Sequence, residues 1–134
     1  IYDRRKGAIE FSNAGHNPPL IVRNGAPEYL KVEKNCALGY IEGVEYTLQE
    51  IPFGEGDAFV LYTDGVTEAM NEKKELYGEE RLLSLAREIF DSEKDSSASV
   101  LAIDSAVVSH AGGAEQSDDV TILVMKTSGT QGTL

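Results

Sequence analysis

Two aspartate-bearing motifs, each set against the end of an apolar run, are the residues of this chain best placed to do chemistry. In Leu61-Tyr62-Thr63-Asp64-Gly65-Val66-Thr67-Glu68-Ala69, an Asp-Gly pair closes the unbroken run Ala58-Phe59-Val60-Leu61-Tyr62. In Ser117-Asp118-Asp119-Val120-Thr121-Ile122-Leu123, an Asp pair opens a second run that ends at Met125. Apolar runs without alternation read as strands covered on both faces. If the two strands are antiparallel neighbours, the end of one meets the start of the other, and Asp64 and Asp118 share one rim of the sheet. Carboxylates so placed repel each other unless a cation lies between them, and hard divalent cations take oxygen ligands of this kind. Each motif taken singly is also what a plain turn at a strand end contains. The two together make the case for a metal.

The elements that must position these residues follow from periodicity. Residues 8–12 alternate, with Ile9 and Phe11 on one face, and residues 20–22 form a short apolar strand after Pro18-Pro19. Asn24-Gly25 is a hairpin signal, because both residues tolerate positive φ, and residues 28–32 read as the return strand. Residues 44–51 alternate and stop at Pro52, and the turn Gly54-Glu55-Gly56-Asp57 leads into the run at 58. After Asp64-Gly65 the period changes: a short helix is expected over 67–72 with Thr67 as its cap, then a clear helix over 79–90. That helix has Leu82, Leu83, Leu85, Ala86, Ile89 and Phe90 at helical spacing and Glu79-Glu80 at its positive end. A polar linker over 91–97 precedes a second helix over 98–111, with Val100, Leu101, Ile103, Val107 and Val108 on its apolar side and Gly112-Gly113 as its stop. Strands, then two helices, then a final buried strand make an α+β domain over residues 1–126. The strand count exceeds what one helix pair covers, so a second sheet packed on the first is expected. Residues 127–134 are small, polar and Gly-rich and read as a flexible tail.

The 134 residues suit one domain, and 41% hydrophobic content suffices for a core. Against 12 basic residues stand 23 acidic ones, a formal net charge of −11. That balance argues against nucleic acid and anionic membrane as partners and accommodates a metal site. The single cysteine, Cys36, cannot form an internal disulfide, which points to a reducing, cytoplasmic setting, and it reads as a small core residue. No run approaches the ~18 apolar residues of a membrane span, and no secretory signal opens the chain. Beginning at Ile1 in strand-like text, the sequence is expected to be a piece of something longer.

Four blocks, in order and at matching spacing, carry a resemblance: Phe11-Ser12-Asn13-Ala14-Gly15-His16-Asn17-Pro18-Pro19-Leu20, Ala37-Leu38-Gly39, and the two aspartate motifs. Together they resemble the SpoIIE-like branch of the metal-dependent protein phosphatases, the bacterial side of the protein phosphatase 2C superfamily. The likeness runs from about residue 8 to residue 125. It implies an αββα sandwich of two mainly antiparallel sheets, here partial, with the C-terminal helix pair on one face. It also implies two Mn²⁺ or Mg²⁺ ions that activate a bridging water to attack phosphoserine or phosphothreonine. By position, Asp64 and Asp118 match the family's metal-ligating aspartates, Asp119 is second to them or a turn residue, and Gly65 allows a close turn behind the ligand. His16 stands where eukaryotic relatives carry an Asp associated with an extra metal, which puts a third site in doubt. His16 either orders the sheet rim or sits with Asn17 near the phosphate.

The family's early acidic motif, usually Gly-Asp, has no match within residues 1–50. It is expected before Ile1, so this chain alone should bind metal weakly and turn over little. By the same resemblance, the partners are a phosphorylated protein, such as an anti-anti-sigma factor, and an upstream sensor. The loss of the family's first strands and helices should leave a strand edge or apolar sheet face that pairs copies into a homodimer. The rival reading is a catalytically inactive phosphatase-like module that binds a protein. A third, an acidic cation-binding domain, explains the aspartates but not the Asn-Ala-Gly-His-Asn block.

Overall fold

The computed structural model of the chain describes residues 1–33, 35–90 and 95–127. Its elements are β1 (Tyr2–Asp3), β2 (Ala8–Phe11), β3 (Leu20–Arg23), β4 (Ala26–Tyr29), β5 (Gln49–Pro52), β6 (Ala58–Tyr62), α1 (Asp64–Thr67), α2 (Gly78–Ile89), α3 (Ser96–Ala111) and β7 (Ile122–Lys126). They form two antiparallel sheets, one of order β1-β2-β5 and one of order β4-β3-β6-β7.

Strand pleating sends alternate residues of the four-stranded sheet to opposite sides, and each side has its own core. Leu20, Val22, Val60 and Tyr62 pack with Leu82, Ala86 and Ile89 of α2 and Ile103 and Val107 of α3. Ile21 and Phe59 point the other way, onto Ile9 of the three-stranded sheet and Phe53 just past β5, with Phe11, Ile51, Leu61 and Met125 at the margin. The layers are therefore sheet, sheet, helix pair. Burying a side chain of this size contributes roughly 1.5–3 kcal/mol, so the two faces of this sheet together supply most of the driving force. The α+β sandwich with its helix pair on one face is as expected.

Several boundaries differ from the sequence reading. Residues 44–48 are not strand, because β2 ends at Phe11 opposite Gln49 and leaves them nothing to pair with. β5 does end at Pro52, which is its last residue and is tolerated there because β5 is an edge strand. β4 starts right at the Asn24-Gly25 turn rather than at 28, and stops at Tyr29. The short helix is α1, beginning at Asp64 itself. Residues 70–76 instead make a hairpin held by Asn71, whose Oδ1 accepts from the Lys73 and Glu75 amides. Most of the expected linker lies outside the described residues, but Asp95 caps α3, accepting from the Ala98 amide at 2.7 Å. On α3 the buried residues are Ser99, Ile103 and Val107, while Leu101 and Val108 are 65% and 62% exposed. β7 is an edge strand with Leu123 51% exposed, not a strand covered on both faces. Cys36 is half-buried in a loop rather than in a core. On the three-stranded sheet, Glu10 of β2 and Glu50 of β5 are both bridged by Lys6. Thr127 bonds to Gly54 and Asp57 across the sheet, and residues 128–134 of the expected tail lie outside the described residues.

Candidate metal rim

β6 and β7 pair antiparallel from Ala58↔Lys126 to Tyr62↔Ile122, so the last residues of one lie beside the first of the other. Past Tyr62 the chain is held by Thr63. Its amide donates to the Thr121 carbonyl at 3.1 Å, its hydroxyl donates to the Asp119 carbonyl at 2.7 Å, and that hydroxyl accepts from the Thr121 amide at 2.9 Å. The chain then enters α1 with Asp64 as its first residue.

Gly65 is buried where the two motifs cross. A Cβ there would lie 2.8 Å from the Asp119 carbonyl carbon and 3.2 Å from the Asp118 carbonyl oxygen, which are main-chain atoms that cannot swing aside. Only glycine lets the backbones approach this closely. Asp64 and Asp118 therefore occupy one rim on touching segments. Each carboxylate accepts one neighbouring amide through Oδ1: Gly65 to Asp64 at 3.0 Å and Asp119 to Asp118 at 2.7 Å. Their Oδ2 atoms have no protein partner among the described residues. Asp118 is further braced by Gln116, whose Nε2 donates to its carbonyl at 2.7 Å. Asp119 works through its main chain, as the acceptor for Thr63, and its side chain is exposed. Exposed carboxylates with spare oxygens are the donor type that Mn²⁺ and Mg²⁺ take. Among the described residues no group of three or more His, Cys, Asp and Glu side chains is placed to hold an ion.

The loop over 12–19 reaches the same rim, because it feeds β3, whose Leu20 pairs with Val60 two residues short of the end of β6. Asn13 is buried inside it. Its Oδ1 accepts from the His16 amide and its Nδ2 donates to the His16 carbonyl, both at 2.9 Å. Gly15, at φ +82°, brings the loop against Ala37, so two of the sequence blocks pack on each other. His16 is exposed, with Nδ1 3.2 Å from the Asn17 carbonyl, and no hydrogen bond joins His16 or Asn17 to Asp64 or Asp118. A cleft of about 270 Å³ runs under the loop, lined by Ser12, Asn13, His16 and Asn17 and by the apolar Phe11, Phe59 and Leu61. His110 lies elsewhere, its Nε2 2.9 Å from the Glu75 carbonyl and its ring edge-on to Tyr77. Just beneath the rim, Tyr62 is 2% exposed, its hydroxyl lacks a partner within hydrogen-bond geometry among the described residues, and burial, with Glu79 adding and the nearby Tyr29 hydroxyl opposing, pushes its phenol up to about 12.

Asn13 and Thr63 were not singled out from sequence. An Asn at the mouth of a Gly-containing loop is a recognisable turn signal. Thr63 gave none, because its partners lie 56 and 58 residues away.

The family model for Stage II sporulation protein E (SpoIIE) matches residues 1–128. Protein IcfG of Synechocystis sp. (strain ATCC 27184 / PCC 6803 / Kazusa) is 26% identical over 126 residues, which is 93% of this chain and 19% of that protein. The fold is shared with the SiaA-PP2C domain of Pseudomonas aeruginosa, with TM-score 0.76 and 24% identity over 94% of this chain and 49% of that one. It is shared also with the phosphatase domain of SpoIIE from Bacillus subtilis, with TM-score 0.73 and 17% identity over 100% of this chain and 57% of that one. The chain thus spans about a fifth of the curated relative and about half of these solved domains. With a family match along nearly its whole length and the two aspartate motifs joined at one rim of a PP2C-like sandwich, this chain belongs to the SpoIIE family of phosphatase domains.

Proposed function

We propose that the chain is part of a metal-dependent serine/threonine protein phosphatase in which Asp64 and Asp118 ligate Mn²⁺ or Mg²⁺, two ions in the complete domain. The observation that carries this reading is the meeting of the two aspartate motifs through Gly65 and Thr63, each carboxylate keeping one oxygen unengaged. Divalent ions need several oxygen ligands to offset lost hydration, so the remaining ligands come from outside this chain. Ions held here supply a water of lowered pKa and neutralise charge on the phosphoryl oxygens. The chain's own residues fix where that happens: Gly65 and Thr63 set the spacing of the two carboxylates, Asp119 lends its carbonyl to the crossing, and His16 and Asn17 border the approach. The substrate is a phosphorylated protein in bacterial signalling, such as an anti-anti-sigma factor, and the setting is the cytoplasm. No described helix is long and apolar enough to cross a membrane.

The test uses the protein at its natural length. Mn²⁺-dependent release of phosphate from a phosphoserine peptide, lost in Asp64→Asn and Asp118→Asn together with Mn²⁺ binding by calorimetry, is the expected result. Undiminished turnover in both variants overturns the metal assignment. Absence of turnover in the unaltered protein favours the inactive protein-binding reading.

A further inference from the structure

Asn13 is 7% exposed, and its side-chain amide is spent entirely on the main chain of one other residue, His16. Its own carbonyl is taken by Asn35 Nδ2 at 2.9 Å. A buried polar side chain used in this way fixes the course of the chain at residue 16. What residue 16 presents is an imidazole. The Asn17 carbonyl 3.2 Å away can only accept, so Nδ1 carries the proton there and Nε2 is the ring nitrogen without a protein partner among the described residues. The loop lies at the rim that holds Asp64 and Asp118. Its pairing with β4 continues to Pro19, which accepts from the Leu30 amide at 2.9 Å, so residues 16 and 17 extend past the level of Leu61 toward that rim. Of residues 12–17 only His16 can carry positive charge, and it borders the cleft under the loop, whose lining also includes Asn17 and the apolar Phe11, Pro19, Phe59 and Leu61.

We infer that His16 contacts the phosphoryl group of the substrate through Nε2, and that Asn13 is a positioning residue that holds it there. This rests on the phosphatase reading. With Nδ1–H on the Asn17 carbonyl, Nε2 donates to a phosphoryl oxygen when the ring carries its second proton, a charge-assisted hydrogen bond made already in the bound substrate. Its loss is therefore read in KM and in inhibition by inorganic phosphate more than in kcat.

The experiment compares His16→Gln, Asn13→Ala and the double variant in the full-length protein. Each single change is expected to raise KM for a phosphoserine peptide and the inhibition constant of inorganic phosphate by about 10-fold, with kcat within about 3-fold of the unaltered protein. The double variant should be no worse than His16→Gln alone, since a positioning residue has nothing left to position. An unchanged KM and phosphate inhibition in His16→Gln overturns the inference, as do effects of the two single changes that multiply. Asn13→Asp keeps the acceptor for the His16 amide and should recover part of the loss, which guards against Asn13→Ala simply unfolding. A second readout is independent of turnover. With Mg²⁺ present, inorganic phosphate should move the ¹⁵N signals of the His16 ring in the unaltered protein and not in Asn13→Ala. If hydrolysis is absent but this shift occurs, the phosphatase reading fails while the phosphate contact stands. If hydrolysis occurs and the ring does not respond, only this inference fails.

Discussion

The two ends of the β6–β7 pair are built from the same parts and use them differently. At one end the turn over 54–57 contains Gly54, Gly56 and Asp57, and Thr127 reaches across from β7 to donate its hydroxyl to the Gly54 carbonyl. At the other end stand Asp64 and Gly65, and Thr63 reaches across from β6 to the Asp119 carbonyl. In the first, Asp57 closes its own turn: Oδ2 accepts from the Gly54 amide at 2.8 Å, and its amide and carbonyl pair with Gly54 and Thr127. In the second, the two carboxylates bond, among the described residues, only to the amide of the following residue and keep an oxygen each for something else. An Asp beside a Gly is ambiguous until one asks whether the turn consumes the carboxylate. The turn at 54–57 does, and the crossing at 64–65 does not.

Six substitutions, grouped in four tests, would break or sharpen this contrast. The largest effect is expected from Asp64→Asn or Asp118→Asn in the full-length protein. Loss of a ligand charge should lower Mn²⁺-dependent turnover on the order of 1,000-fold, with thermal stability nearly unchanged because neither side chain closes a turn. A thermal midpoint that falls along with activity would place these aspartates in the same class as Asp57.

Next is Gly65→Ala set against Gly54→Ala. At 65 the methyl meets main chain, so the crossing must open; about 1–3 kcal/mol of stability and most metal affinity should go. At 54 the nearest atom to a new Cβ is Asp57 Oδ2 at 3.9 Å, an ordinary contact, so the change should stay within roughly 1 kcal/mol. Denaturant titration of the pair checks this, and equal costs would show that the close approach at 65 relaxes.

Asp57→Ala is the converse of the ligand substitutions. It should cost about 1–2 kcal/mol through the lost bond to the Gly54 amide, and Mn²⁺ affinity of the folded protein should not move. A weakened metal titration would link the far turn to the rim.

The smallest effect is at Tyr62→Phe, just below the rim. The hydroxyl removed has no hydrogen-bond partner among the described residues, so at neutral pH stability should change by less than about 1 kcal/mol. The difference appears in alkali. Burial raises the phenol from 10.0 when unfolded to about 12 when folded, and Tyr29 and Tyr77 move in the same direction. The neutral form is the one the fold favours, so this stability is complete below pH 10 and declines as pH climbs toward about 12. Urea midpoints across that window should fall less steeply in the variant, and identical slopes would remove Tyr62 from the account.

What could be read from residues alone was whatever local pattern encodes. The unbroken run at 58–62 became the strand at the centre of the molecule, the apolar face of α2 became its core face, and Asp64 and Asp118 were found at facing strand ends because each motif carries its own strand boundary. Long-range partners decided the rest. Whether residues 44–48 form a strand depends on where β2 stops, and whether Pro52 is tolerated depends on β5 being an edge. Val120 to Met125 looks the same in sequence whether its neighbours lie on both sides or one, and only the sheet order makes Leu123 exposed. At the rim, sequence supplied the two carboxylates. The reason their segments meet is the Gly65 approach to Asp119 and the Thr63 bonds across to Asp119 and Thr121, contacts between segments more than fifty residues apart that no local periodicity records.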